Sequence, residues 1–238
     1  MNYAQDARLW SSALEGQNLV LDFSLMRNCL LTEQGSICSQ AQRIVMFNRE
    51  VEQPFNLWFT GLQSENMIDR FNKINLFVPR NFVNRTERHF TELFPKEKLV
   101  YLSPDAEDTI EGFDRQAIYI LGAIVDRYQD DPLTFESARK HGIRAVRLPL
   151  KEHVILSDLA LDLSFFSVFQ MLNYMQLSYA QWDNAFRMYL CPDRRQDEYD
   201  IIFKNNTKLI DYTMKEIEHY NRRTKFQYQH KIFQKMKQ

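Results

Sequence analysis

Between residues 117 and 150 the chain reads AIYILGAIVDRYQDDPLTFESARKHGIRAVRLPL. An apolar run ends in a lone glycine, an aspartate follows among aliphatic residues, and a helical stretch leads to a second apolar run that stops at Leu-Pro-Leu. Two strand-like runs joined by a helix-length connection form a crossover unit, which pairs strands in parallel. Such a sheet is covered on both faces, and its ligands sit at the carboxyl ends of strands. The segment therefore predicts an α/β fold with a ligand site at its strand ends.

The same alternation runs through the rest of the chain. Strands are predicted at 18–23 (NLVLDF), 55–60 (FNLWFT), 98–102 (KLVYL), 117–122 and 144–148. Helices are predicted at 36–49 with Ser36 as N-cap, at 66–74, at 134–141 stopped by Gly142, at 158–175, and at 182–189. Ser103-Pro-Asp is expected to open another short helix. The architecture implied is a mostly parallel sheet with helices on both faces. The strand ends at Leu102 and Ser103, at 122–126, and at 148–150 are candidates to converge on one pocket.

Composition excludes several classes of function. The chain has six glycines and neither GxGxxG nor GxxxxGK[ST], so a dinucleotide or nucleoside triphosphate cradle is not expected. There is no GxSxG and no HExxH, and the five histidines are scattered. Cys29, Cys38 and Cys191 are widely spaced without a CxxC pair, which argues against a disulfide framework and a zinc site. No metal is therefore expected. No apolar run approaches the roughly 18 residues of a membrane span, so a soluble protein without a membrane partner is expected. The first residues, MNYAQDARLW, resemble neither a signal peptide nor an Arg-rich presequence.

Charge is distributed unevenly. From Lys204 to the end there are nine basic residues against Asp211, Glu216 and Glu218, so the preceding part is acidic overall. Tyr212, Tyr220, Phe226, Tyr228 and Phe233 alternate with these charges, a composition that suits a phosphate backbone. It equally suits an amphipathic helix packing Ile210, Met214, Ile217 and Tyr220. The organisation expected is an N-terminal extension or linker at 1–17, one domain at 18–196, and a basic helical tail at 197–238.

Asp126 stands out from an otherwise bland core. It continues an apolar strand end, where burial raises a carboxylate's pKa and equips it as a base. By itself, an aspartate in this place is more often a helix or turn cap.

Several separated landmarks bear on that choice. They are Cys38-Ser-Gln-Ala, Phe47-Asn-Arg-Glu, Gln53-Pro-Phe, Leu93-Phe-Pro-Lys, Val100-Tyr-Leu-Ser-Pro-Asp, Tyr119-Ile-Leu-Gly-Ala-Ile-Val-Asp, Gly142-Ile-Arg and Arg147-Leu-Pro-Leu. Together they resemble, over about residues 19–195, the tRNA methyltransferases that modify N1 of the purine at the ninth nucleotide, a branch of the SPOUT class. Leu159-Ala-Leu-Asp, and Asp126 followed by Arg127 and Tyr128, are closer to the mitochondrial branch, the methyltransferase subunit of protein-only ribonuclease P.

The resemblance implies a SPOUT-type domain with a C-terminal trefoil knot, monomeric, with S-adenosylmethionine as methyl donor. It implies a donor site formed by Leu102, Gly122, Val125, Asp126, Arg127, Leu148, Leu150, Asp158, Leu159 and Ala160, with Asp126 as general base. Contacts to tRNA would come from Gln40, Arg43, Asn48, Arg49, Arg127, Arg144, Arg147, Lys151, Arg194 and Arg195. It further implies a mitochondrial matrix protein that works with a short-chain dehydrogenase subunit and a protein-only nuclease subunit. Two alternatives stay open: an assembly subunit for which methylation is dispensable, and a cytosolic guanine-N1 methyltransferase. Guanine, adenine or both are compatible with the residues.

Overall fold

The computed structural model describes residues 3–125, 132–155, 163–177, 180–190 and 202–203. Contacts divide the chain into two units, 1–202 and 203–238. The first unit carries the fold described below. The expected helical tail lies outside the described residues, except for Ile202–Phe203, which is a two-residue strand.

Chain order in the first unit is α1 (Tyr3–Glu15), β1 (Asn18–Asp22), α2 (Leu31–Glu50), β2 (Asn56–Thr60), α3 (Glu65–Lys73), β3 (Val83–Arg85), β4 (Leu99–Leu102), β5 (Ile118–Gly122), α4 (Leu133–His141), β6 (Arg144–Val146), α5 (Leu150–His153), β7 (Val154–Ile155), α6 (Phe165–Met175) and α7 (Trp182–Tyr189). The main sheet has six strands in the order β3-β2-β1-β5-β4-β6, and every neighbouring pair is parallel. The chain moves outward from β1 to β3, then returns to place β5 beside β1. The order therefore reverses between β1 and β5, where α/β sheets open a crevice at their carboxyl ends.

Apolar runs without alternation explain the central strands. Leu19, Val20 and Leu21 are all fully buried, because a central parallel strand is covered on both sides. On one face Val20, Tyr101, Ile118 and Ile120 pack with Phe90, Ala138 of α4 and Ile143. Burying side chains of this size stabilises the fold by roughly 1.5–3 kcal/mol each. Elsewhere Phe169 of α6 meets Phe55 and Phe47 edge-on, with centroids 5.7 and 6.1 Å apart. Gly142 closes α4 with φ +62°, and Ile143 N–H bonds back to the Ala138 carbonyl, the left-handed cap expected there.

Four local expectations are corrected. Helix α2 starts at Leu31, so Ser36 lies inside it. Its first turn is held instead by Glu33, whose carboxylate accepts from Leu30 N–H at 2.8 Å. Ser103-Pro-Asp forms a turn, with Ser103 Oγ accepting from Asp105 N–H at 3.3 Å, and no helix follows. The strand β3 escaped notice because Val-Asn-Arg has no apolar pattern; its backbone pairing with β2 makes it a strand. Residues 3–15, expected as an extension, form a helix that buries Leu9 and is pinned by Arg49 to Asp6 at 3.0 Å and by Ser12 to the Pro54 carbonyl at 2.7 Å.

Candidate functional site

Strand register brings the expected ends together. Asp22 of β1 lies opposite Gly122 of β5, Leu102 of β4 lies between Leu121 and Val146, and all four strands end within a residue of one another. Two further backbone bonds extend this edge, from Ala123 N–H to the Asp22 carbonyl at 2.9 Å and from Ser103 N–H to the Val146 carbonyl at 3.0 Å. After β6 the chain turns sharply: Leu150 N–H bonds to the Leu148 carbonyl at 2.8 Å around Pro149, whose φ of −77° and ψ of 45° lie near an inverse γ-turn. Leu102, Gly122 and Leu148 are thus placed at one edge, with Val125 and Leu150 on the chain leaving it. Asp126, Arg127, Asp158, Leu159 and Ala160 lie outside the described residues.

Gly122 has a specific reason to lack a side chain. A Cβ there would stand 2.7 Å from Thr134 Cγ2 and 3.3 Å from the Tyr101 hydroxyl. The hydroxyl uses that space to donate to Asp22 Oδ2 at 2.8 Å, while Asp22 Oδ1 accepts from Ser24 N–H at 2.9 Å. Asp22 is fully buried, and burial, reinforced by the Asp22 carboxyl, holds the Tyr101 hydroxyl well above the usual tyrosine range. On the other side Thr134 donates to Ser103 Oγ at 2.7 Å, also buried. Gly122 at the end of β5 and Thr134 in the first turn of α4 are thus both packed against buried hydrogen-bonded groups. Sequence reasoning missed Asp22 and Tyr101. The available signal was the one noticed at Asp126, an acid closing an apolar run.

The residues expected to face RNA divide into several groups. Gln40 and Arg43 of α2 face the start of α6: Gln40 Oε1 accepts from Phe166 N–H at 3.4 Å, and the Arg43 guanidinium lies 4.2 Å from the centroid of the Phe166 ring. Asn48 is 2% exposed and clamps Phe55, donating to its carbonyl and accepting from its N–H, each at 2.8 Å. Its amide, expected to meet RNA, is engaged on both sides by the Phe55 backbone. Arg49 ties α1 to α2 through Asp6 and donates to the Arg80 carbonyl.

Arg144 was expected to contact tRNA. It stands at the start of β6, as the predicted strand places it, beside a cavity of about 600 Å³ lined by Glu107, Asp108, Glu111 and Asp114, surroundings that repel phosphate. Arg147 grips both carboxylate oxygens of Glu152. Lys151 is exposed on α5. Arg194 and Arg195 lie outside the described residues. Among the described residues no three His, Cys, Asp or Glu side chains form a metal cluster, and no helix is long and apolar enough to cross a membrane.

Residues 4–196 match the family described as tRNA (guanine(9)-N(1))-methyltransferase TRM10/TRM10A. The chain belongs to this family. The chain is similar to tRNA methyltransferase 10 homolog B of Bos taurus, with 30% identity over 149 residues, covering 62% of the chain and 47% of the relative. It is also similar to the Mitochondrial ribonuclease P protein 1 homolog of Drosophila melanogaster, with 29% identity over 159 residues, covering 65% and 35%. A crystal structure of full-length spTrm10 in its SAH complex matches with TM-score 0.64 and 31% identity, covering 74% of this chain and 97% of that one. The chain spans about half the length of the homolog B relative, and a smaller share of the Drosophila protein.

Proposed function

We propose that this protein transfers a methyl group from S-adenosylmethionine to N1 of guanine at the ninth nucleotide of tRNA. The observation that carries the reading is the convergence of Leu102, Gly122 and Leu148 at the carboxyl ends of adjacent strands in a chain of this family. Leu102 and Leu148, each 8% exposed, offer apolar walls at a backbone edge, which suits a neutral adenine and a thioether chain. The donor supplies, when bound, an electrophilic methyl group on a positively charged sulfur. Val125, Arg127, Leu150, Asp158, Leu159 and Ala160 complete the proposed donor site, and the trefoil knot of the SPOUT class belongs to the same reading.

Asp126 acts as general base in this reading. Guanine N1 carries a proton; the Asp126 carboxylate would take it, so that the ring nitrogen's electron pair can bond to the donor's methyl carbon as that carbon's bond to sulfur breaks and the sulfur leaves as a neutral thioether. Adenine has that pair already, so there the same carboxylate would orient the base. Holding purine and donor in line removes much of the entropic barrier, and no metal enters the step. Gln40, Arg43, Lys151, Arg194 and Arg195 are proposed to hold tRNA phosphates, which set register without reading sequence.

The mitochondrial setting is proposed as well, with a short-chain dehydrogenase subunit and a protein-only nuclease subunit as partners. The name of the Drosophila relative supports it. It also supports a second reading, in which the chain chiefly positions tRNA for processing. Asp126→Asn separates the two. The variant is expected to retain tRNA binding and to lose guanine-N1 methylation on unmodified tRNA. Full methylation by it would remove Asp126 from its role.

A further inference from the structure

The turn at 148–150 is bracketed by one ion pair. Arg147 precedes it and Glu152 follows it, and the guanidinium meets the carboxylate twice, at 3.0 Å to Oε2 and 2.6 Å to Oε1. The same guanidinium reaches the Leu148 carbonyl at 3.4 Å, so the turn is held from inside the ring that the pair closes. The Arg147 side chain is 19% exposed and that of Glu152 is 42% exposed. The Glu152 carboxyl is pulled down to about 2, chiefly by the hydrogen bond from Arg147.

A second segment is sewn to this ring. The long connection between β4 and β5 runs beside it: Arg147 N–H bonds to the Asp108 carbonyl at 2.8 Å, and Ile110 N–H bonds to the Arg147 carbonyl at 2.9 Å. Thr109 pairs with Arg147 as an isolated bridge and donates to Glu152 Oε1 at 3.4 Å. Further along, Trp182 Nε1 of α7 donates to the Glu111 carbonyl at 3.3 Å. The turn after β6 is thus fixed to the β4–β5 connection by the backbone of Arg147 on one side and by the Thr109 hydroxyl on Glu152 on the other.

We infer that Arg147 and Glu152 form a clasp whose task is to position the turn at 148–150 for the methyl donor, so that Arg147 is a positioning residue rather than a phosphate contact. The inference rests on the donor site proposed above. A guanidinium fork is matched to a carboxylate in geometry as well as charge, and Lys in its place keeps only the charge. An arginine with both arms on a carboxylate has little left for a phosphate.

The test uses the full chain with Arg147→Lys, Arg147→Ala, Glu152→Gln and the exchange Arg147→Glu/Glu152→Arg. Calorimetric titration with S-adenosylmethionine is combined with steady-state methylation of unmodified tRNA and with the salt dependence of tRNA binding. The single variants are expected to raise the donor KM by about fivefold, the scale of a well-formed exposed pair, with kcat and tRNA affinity near wild type. The exchange should recover most of the donor KM, a rescue that loss of one arginine from an RNA surface would not show.

Equal donor affinity in wild type and single variants would overturn the clasp. So would an Arg147→Lys or Arg147→Ala variant that loses tRNA affinity, with the Ala salt slope reduced by about one, while Glu152→Gln binds normally; that pattern marks a phosphate contact. A wild-type chain that binds no S-adenosylmethionine would overturn the donor site itself, and the clasp's assignment with it.

Discussion

Two segments at the carboxyl edge of the sheet are held in opposite ways. The end of β5 and the start of α4 are flanked by buried groups: Asp22 and Tyr101, which meet beside Gly122, and the Ser103–Thr134 pair. The turn after β6 is held by Arg147 and Glu152, a pair that solvent reaches. In the first case the partners have no water to fall back on, so losing one leaves a desolvated polar group and costs about 1–3 kcal/mol. In the second, water replaces much of what is lost, and exposed pairs of this kind contribute about 1 kcal/mol or less. One segment is therefore tied to the stability of the whole fold, while the other can be loosened without unfolding it.

The harshest way to break the buried anchor is Gly122→Ala. The new methyl would press on Thr134 Cγ2 at 2.7 Å, and Thr134 cannot turn away without giving up its bond to Ser103. Overpacking of this kind costs about 1–3 kcal/mol, and the expected result in thermal unfolding is a lower Tm. Adding Thr134→Ser, which keeps the hydroxyl and deletes the methyl, should recover most of that loss. If it does not, the clash lies elsewhere.

A milder break is Tyr101→Phe, which removes one hydroxyl and leaves the ring. Asp22 then stays buried with one bond fewer, and denaturant unfolding is expected to show a loss of about 1–2 kcal/mol. An unchanged midpoint would place Asp22 in contact with water and remove the contrast between the two segments.

The smallest effect belongs to the exposed pair and depends on pH. The Glu152 carboxyl stands at about 2 in the folded chain against an ordinary 4.5, so the pair's contribution is fully present above about 4.5 and is lost as pH falls towards 2. The stability difference between wild type and Glu152→Gln should be constant from neutral pH down to about 4.5 and shrink below that. A difference that grew on acidification would reverse the assigned sign.

The fold was legible where the signal is local. Strands β1, β2, β4 and β5 are short apolar runs, and α4 ends at the glycine whose lack of a Cβ permits a positive φ. Strand β3 was not legible, because Val83, Asn84 and Arg85 owe their conformation to bonds with β2. The start of α2 was misread because a serine suited to capping sits five residues inside a helix that Glu33 begins. At the candidate site Leu102, Gly122 and Leu148 could be found as strand ends. The roles of the polar residues could not. Asn48 and Arg147 have the composition of RNA contacts, yet the first is folded into the backbone of Phe55 and the second is engaged by Glu152.

The sequence alone therefore determined the apolar strands β1, β2, β4 and β5, most of the helices between them, and the expectation that the strands run parallel. Hydrophobic period and turn residues act over a few positions, which is why they survive in a linear reading. The tertiary structure decided the partners. Tyr101 meets an aspartate 79 residues away because sheet order brings β1 and β4 close, and Arg49 meets one 43 residues away because α1 packs on α2. A side chain's chemistry is read from its type, but whether that chemistry is already satisfied depends on neighbours that only the fold supplies.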